Sequence, residues 1–92
     1  MILFEWNPKK EKSNFEKHGI SFDEASSVFK DTLSITINDP LHSQDEERMV
    51  IIGMSRKNRF LTVVHTDRGK KVRIISARKS TKSEWRFYEN NG

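Results

Sequence analysis

Three side chains in the C-terminal half have the chemistry to hold and transform an anion: His65, Arg73 and Arg78. A guanidinium is a planar fork of N–H donors that matches the paired oxygens of a phosphate, and it stays charged at any physiological pH. Imidazole takes and gives a proton near neutrality. Arg73 lies within an apolar run, so its head must reach the sheet surface or an acid, because burying it unpaired is costly. Arg78 ends that run, just before a helix start whose free N–H groups favour anions. Together they offer a phosphate cradle; for Arg73 the plainer reading is an ion pair with a helix acid. His65 ends an apolar stretch next to this basic run, either as a proton carrier or as a satisfied strand-end histidine. His18 falls at a helix C-terminus, where it would act as a cap, and His42 falls in a polar loop. Lys71, Lys79 and Arg56 could bind flanking phosphates, and Tyr88 could stack on a base or assist in proton transfer. Trp85, three residues earlier on the same helical face, reads as core.

These residues need a scaffold, and the hydropathy pattern outlines one. Residues 2–6, ILFEW, read as a short strand. Asn7-Pro8 opens a helix as N-cap and first-turn proline. That helix runs to His18, where Gly19 ends it in the left-handed conformation and Ile20 is placed to fold back onto Phe15. Ser21 and Glu24 form a capping box for a second helix whose buried face is Phe22, Ala25, Val28 and Phe29. After Asp31 the period becomes two, and residues 33–38, LSITIN, read as a half-exposed strand. A polar loop follows over residues 39–47. Near-continuous apolar runs at 48–55 and 60–66 suit central strands covered on both faces, joined by a short RKNR turn. DRG then turns the chain into KKVRIISAR. A last helix begins near Ser80 or Thr81, with Thr81 and Glu84 as a second capping box.

Strand, two helices, four strands and a helix make a single α+β domain over residues 1–92, with a four-stranded antiparallel sheet. Regular alternation along the last strand puts Lys71, Arg73, Ile75 and Ala77 on one side. Val72, Ile74, Ser76 and Arg78 fall on the other. Unless that strand bends, only one of the two arginines can reach a given site.

Of the 92 residues, 34% are hydrophobic and 33% charged, which describes one globular domain and not a disordered chain. No apolar run approaches the ~20 residues of a membrane span, and no signal-peptide order is present, so the cytoplasm is the default expectation. The absence of cysteine excludes disulfides and thiolate metal sites, and no histidine pair has helical spacing. Neither a metal nor another cofactor is expected. Residues 1–55 carry six Lys/Arg against ten Asp/Glu, whereas residues 56–92 carry eleven against three. Such a one-sided field suits a polyanion; for the charge run taken alone, the plainer reading is that basic residues solvate a C-terminal sheet.

Several stretches carry a family resemblance: FEWNP (4–8), KHGISFDEASSVF (17–29), DPLHSQDEER (39–48), IGMS (52–55), VVHTDRG (63–69) and VRIISARKSTKSEWRFYE (72–89). Across nearly its whole length the chain resembles the BrnT toxins of BrnT–BrnA toxin–antitoxin modules, ribonucleases of the RelE-like superfamily. Asn7 stands where such sequences commonly carry Asp, and caps equally well. The resemblance implies two N-terminal helices against a curved antiparallel sheet. It also implies a metal-independent endoribonuclease that halts translation, with RNA as substrate. A BrnA-type antitoxin would neutralise it and contact operator DNA on behalf of the complex. On this reading the 2′-hydroxyl of RNA attacks the neighbouring phosphate. His65 would transfer protons, Arg73 and Arg78 would stabilise the phosphorane, and Arg56, Lys71, Lys79 and Tyr88 would bind RNA. A non-enzymatic module that binds nucleic acid or an acidic partner through the same surface is the alternative.

Overall fold

A computed structural model describes residues 2–39 and 47–91; most of the polar loop, His42 included, lies outside the described residues. The elements are β1 (Leu3–Glu5), α1 (Pro8–His18), α2 (Phe22–Ser27) running into a 3-10 turn (Val28–Lys30), β2 (Ile35–Asn38), β3 (Arg48–Met54), β4 (Phe60–Arg68), β5 (Lys71–Lys79) and α3 (Lys82–Asn91). The expected α+β architecture is present, but the sheet has five strands and is mixed, in the order β1-β5-β4-β3-β2. β1 pairs parallel to β5, Leu3 opposite Lys71 through Glu5 opposite Arg73. That addition covers part of an edge that would otherwise expose unpaired backbone groups. Beyond the end of β1, Asn14 takes over the same edge. Its Oδ1 accepts the Ala77 N–H at 3.0 Å, and its Nδ2 donates to the Ala77 carbonyl at 2.8 Å and the Ile20 carbonyl at 3.1 Å.

The local signals act largely as their chemistry requires. The Asn7 side chain accepts the Lys9 N–H at 2.8 Å, and Gly19 closes α1 at φ 72°, a conformation that costs glycine little. Ile20 turns into the core, while Phe15 stays largely exposed. Ser21 Oγ accepts the Glu24 N–H at 3.0 Å, but the return arm of this capping box is not made. Glu11 instead accepts the Phe22 N–H at 3.1 Å, and the Glu24 carboxylate points into the protein.

Ile20, Phe22, Ala25 and Val28 pack on Ile51, Leu61, Val63, Ile74 and Ala77 of one sheet face, with Phe4, Trp6 and Phe29 at the border. α3 covers the hairpin end of the other face. There Tyr88 meets Phe60 edge-on at 5.1 Å, and Trp85 does so at 6.0 Å. The Tyr88 hydroxyl donates to Asp31 at 2.8 Å, and the same carboxylate accepts the Leu33 N–H at 3.0 Å and the Met54 N–H at 2.8 Å. Gly53 permits this convergence, since a Cβ there would lie 3.0 Å from Val28 and Ser34 side-chain atoms and 3.1 Å from Asp31.

Among the described residues, Glu24 is the fully buried acid. It accepts the Ser55 hydroxyl at 2.6 Å and the Arg59 Nε–H at 2.9 Å, with a second contact from Arg59 Nη2, and so ties α2 to the β3–β4 hairpin. The hydrogen-bonded guanidinium holds the Glu24 carboxyl below its ordinary value, against burial, which acts in the opposite direction. A carboxyl whose folded pKa is depressed stabilises the protein fully above its unfolded value, and that contribution fades as pH falls through the folded one. Glu24→Gln should therefore lower the unfolding free energy by about 2 kcal/mol at pH 7, the scale of a charged hydrogen bond. In urea titrations the difference from wild type should shrink as pH drops below about 4.5 and the wild-type carboxyl becomes protonated. Equal stability of the two proteins at pH 7 would contradict this role.

Candidate nucleic-acid interface

The backbone of β5 is irregular at one point, and that irregularity organises the site. Val64 lies opposite Ser76 but His65 lies opposite Ile74, so Ile75 has no opposite residue. This bulge shifts the alternation by one residue. Ile74 and Ala77 both face the helices, whereas Arg73, opposite Thr66, and Arg78, opposite Thr62, share the other face. The regular alternation expected from sequence had separated them. Lys71, opposite Arg68, joins the same face. Four ladder positions separate the arginines, roughly 13 Å of backbone.

Arg78 is held more firmly than a strand-end cation would be. Its Nη1 and Nη2 donate to Glu84 Oε1 and Oε2 at 2.7 and 2.8 Å, a two-toothed pairing that fixes the plane of the fork. Glu84 accepts the Thr81 N–H at 2.8 Å while Thr81 Oγ1 accepts the Glu84 N–H at 3.2 Å, so the second capping box is complete. Thr62 donates to Glu84 at 3.0 Å and lies 2.8 Å from the Ser80 hydroxyl. A guanidinium, two hydroxyls and the N-terminal turn of α3 thus converge at one end of the open face. Sequence reading had placed Glu84 only as a cap; its position six residues after Arg78, across a strand-to-helix turn, was the available signal.

Arg73 keeps to this face but is paired, whereas Lys79 and Arg56 lie away from it. Arg73 donates through Nε at 2.9 Å and Nη2 at 2.8 Å to Glu5 of β1, so its acid partner is a strand residue and not a helix one. Lys79 sits opposite Leu61, on the helix-side alternation at the exposed end of β5. Arg56 leaves the β3–β4 turn toward α2, where it pairs with Asp23 at 2.7 Å.

Two placements expected from sequence are corrected. His65 is not beside the arginines: it faces the helices, 3% exposed, with its ring edge-on to Phe29 at 4.8 Å and neither nitrogen hydrogen-bonded among the described residues. Burial lowers its pKa, with Asp67 opposing, which favours a neutral core imidazole. Tyr88 is not a free ring among polar residues but a buried one, 8% exposed, and burial followed by its bond to Asp31 raises its pKa. Of Trp85 and Tyr88 on α3, Tyr88 is the deeper because its helical face meets Phe60 and Asp31 together. Among the described residues, no group of three or more His, Cys, Asp or Glu side chains is placed to hold a metal ion. Nor, among the described residues, is any helix long and apolar enough to cross a membrane.

A mixed five-stranded sheet with α1 and α2 on one face, and α3 at one end of an arginine-bearing second face, defines a small basic α+β domain with an anion-compatible surface. Residues 6–84 match the family model described as the ribonuclease toxin BrnT of type II toxin–antitoxin systems, and the chain belongs to that family. The 1.1 Å crystal structure of the Brucella abortus ribonuclease toxin BrnT has the same fold. It aligns at a TM-score of 0.65 and 19% identity, over 89% of this chain and 100% of that one. No curated protein matches this sequence.

The geometry around Glu84 can be tested directly. Hydrogen bonding from Arg78, with the Thr81 N–H and Thr62 hydroxyl adding to it, draws the Glu84 carboxyl down to about 2 against the effect of burial. An NMR titration of side-chain carboxyl carbons should find that low midpoint. In Arg78→Ala it should rise, yet stay under the ordinary glutamate value because the Thr81 and Thr62 donors remain. An unchanged midpoint in Arg78→Ala would mean that the pair does not persist in solution.

Proposed function

We propose that this ribonuclease toxin cleaves RNA on the open sheet face without a metal ion, and that the loss of RNA halts translation. The observation that carries the reading is the bulge in β5, which puts Arg73, Arg78 and Lys71 in one row. The scissile phosphate sits at Arg78. There Glu84 occupies one edge of the guanidinium and leaves further N–H donors for phosphate, and the α3 N-terminus adds its field. Arg73 and Lys71 hold phosphates further along the strand; Lys79 and Arg56 contribute charge from the end of the sheet.

The 2′-hydroxyl attacks the adjacent phosphorus, forming the 2′-O–P bond as the P–O5′ bond breaks, and the products are a 2′,3′-cyclic phosphate and a 5′-hydroxyl. The 2′-proton passes to solvent, and water returns one to the leaving oxygen. Glu84, with its carboxyl near 2, is too weak a base for that step and serves to orient Arg78. Stabilisation of the phosphorane charge therefore carries the rate. His65, enclosed in the core, supports packing in this reading and not proton transfer. The toxin is neutralised by a cognate antitoxin, and operator DNA is met only through that complex.

Cleavage of end-labelled RNA should persist in EDTA; loss there with recovery on adding Mg²⁺ would remove the mechanism. Arg78→Ala should slow single-turnover cleavage about 10²–10³-fold, the cost of removing one charge-stabilising donor. Arg78→Lys should also be impaired, because it keeps the charge but loses the fork. His65→Gln, assayed on the folded fraction, should cleave within about tenfold of wild type. A loss of about 10²–10⁴-fold would return proton transfer to His65. RNA bound but left intact by the wild-type protein would favour the non-enzymatic module.

A further inference from the structure

The open face is divided, and RNA accounts for only half of it. Toward β5 it carries the row of Lys71, Arg73 and Arg78. Toward β2 it is apolar: Ile37, Val50, Ile52 and Val64, with Phe87 of α3, wall a groove of about 480 Å³ that adjoins Arg78 and Glu84. Ile37 is 44% exposed and Phe87 is 41% exposed. Aliphatic walls add little to the hold on a phosphodiester chain, whereas a partner bearing apolar and acidic side chains gains from both halves.

We infer that this groove seats the cognate antitoxin, through an amphipathic segment that lays apolar side chains between β2 and α3 and carboxylates along the cationic row. Charge complementarity selects this occupant over a second copy of the chain. A two-fold contact through the same patch would bring one cationic row against another. The position also accounts for neutralisation, since a segment seated in the groove ends on Arg78 and covers its fork. Blocking of cleavage rests on the RNA reading given above, but docking does not.

The test uses Ile37→Thr with Phe87→Ser, two surface changes whose folding is checked by thermal unfolding, and the purified antitoxin protein encoded beside the toxin gene. Calorimetric affinity for that protein should fall roughly 30-fold or more, the scale of losing a central aromatic anchor. Cleavage of RNA by the free variant should match wild type. Unchanged antitoxin affinity overturns the inference, whether cleavage is kept or lost; if it is lost, the groove belongs to RNA. A wild-type dimer that the variant cannot form, with antitoxin affinity intact, gives the groove to a second copy and equally overturns it. Hydrogen exchange on the unmodified toxin supplies a readout independent of substitution. Antitoxin should protect residues 35–38 and 83–87, and unchanged exchange in both segments overturns the inference. If the wild-type toxin fails to cleave RNA, the catalytic reading falls, while affinity and exchange still decide the groove.

Discussion

Ile75, without an opposite residue on β4, is the constraint on which the cationic face depends. A strand presents alternate residues to opposite sides, so a regular β5 could not turn both Ile74 and Ala77 toward the same core. Both are buried, and the core beneath α1 and α2 is completed by them. The extra residue that reconciles them also moves Arg78 onto the side of Arg73. Burial of apolar surface therefore aligns the charged groups: the same packing that stabilises the domain sets the register of its cationic row.

Acids then hold these cations in place. Arg78 is paired with Glu84, Arg73 with Glu5, Arg56 with Asp23 and Arg59 with Glu24. Each pair joins different elements: β5 to α3, β5 to β1, the β3–β4 turn to α2, and the end of that turn to α2. Partly exposed pairs of this kind contribute only about 0–1 kcal/mol, so their effect on the open face is orientation more than stability. Glu24 is the exception. Its carboxylate is enclosed, and removing its partners would leave a charge without solvation.

The two faces of the sheet divide the aromatic and histidine residues in a way that the family's chemistry alone would not suggest. Tyr88 and Trp85 serve to seat α3 on the hairpin, and His65 fills space against Phe29. The polar groups left around Arg78 are hydroxyls and a strongly acidic carboxyl, a set suited to stabilising charge more than to shuttling protons.

Much of the fold was legible in the chain because its signals are local. Asn7-Pro8, Gly19, Ser21 and the Thr81–Glu84 box mark helix ends through contacts within a few residues, and the change of hydrophobic period at Asp31 marks where sheet replaces helix. The charge surplus after residue 55 and the family motifs likewise pointed to the anionic substrate class without coordinates. What only tertiary structure decided is which side each residue of a strand faces and which acid meets which cation. β1 joining β5 in parallel, Asn14 continuing that edge, and His65 turning inward are outcomes of long-range packing. The bulge left one trace, since Ile74 and Ala77 are buried three positions apart, a spacing that a regular strand cannot bury on one side. That trace becomes readable only when the core that demands both residues is known, because the energy selecting it comes from α1, α2 and β4 and not from β5 itself.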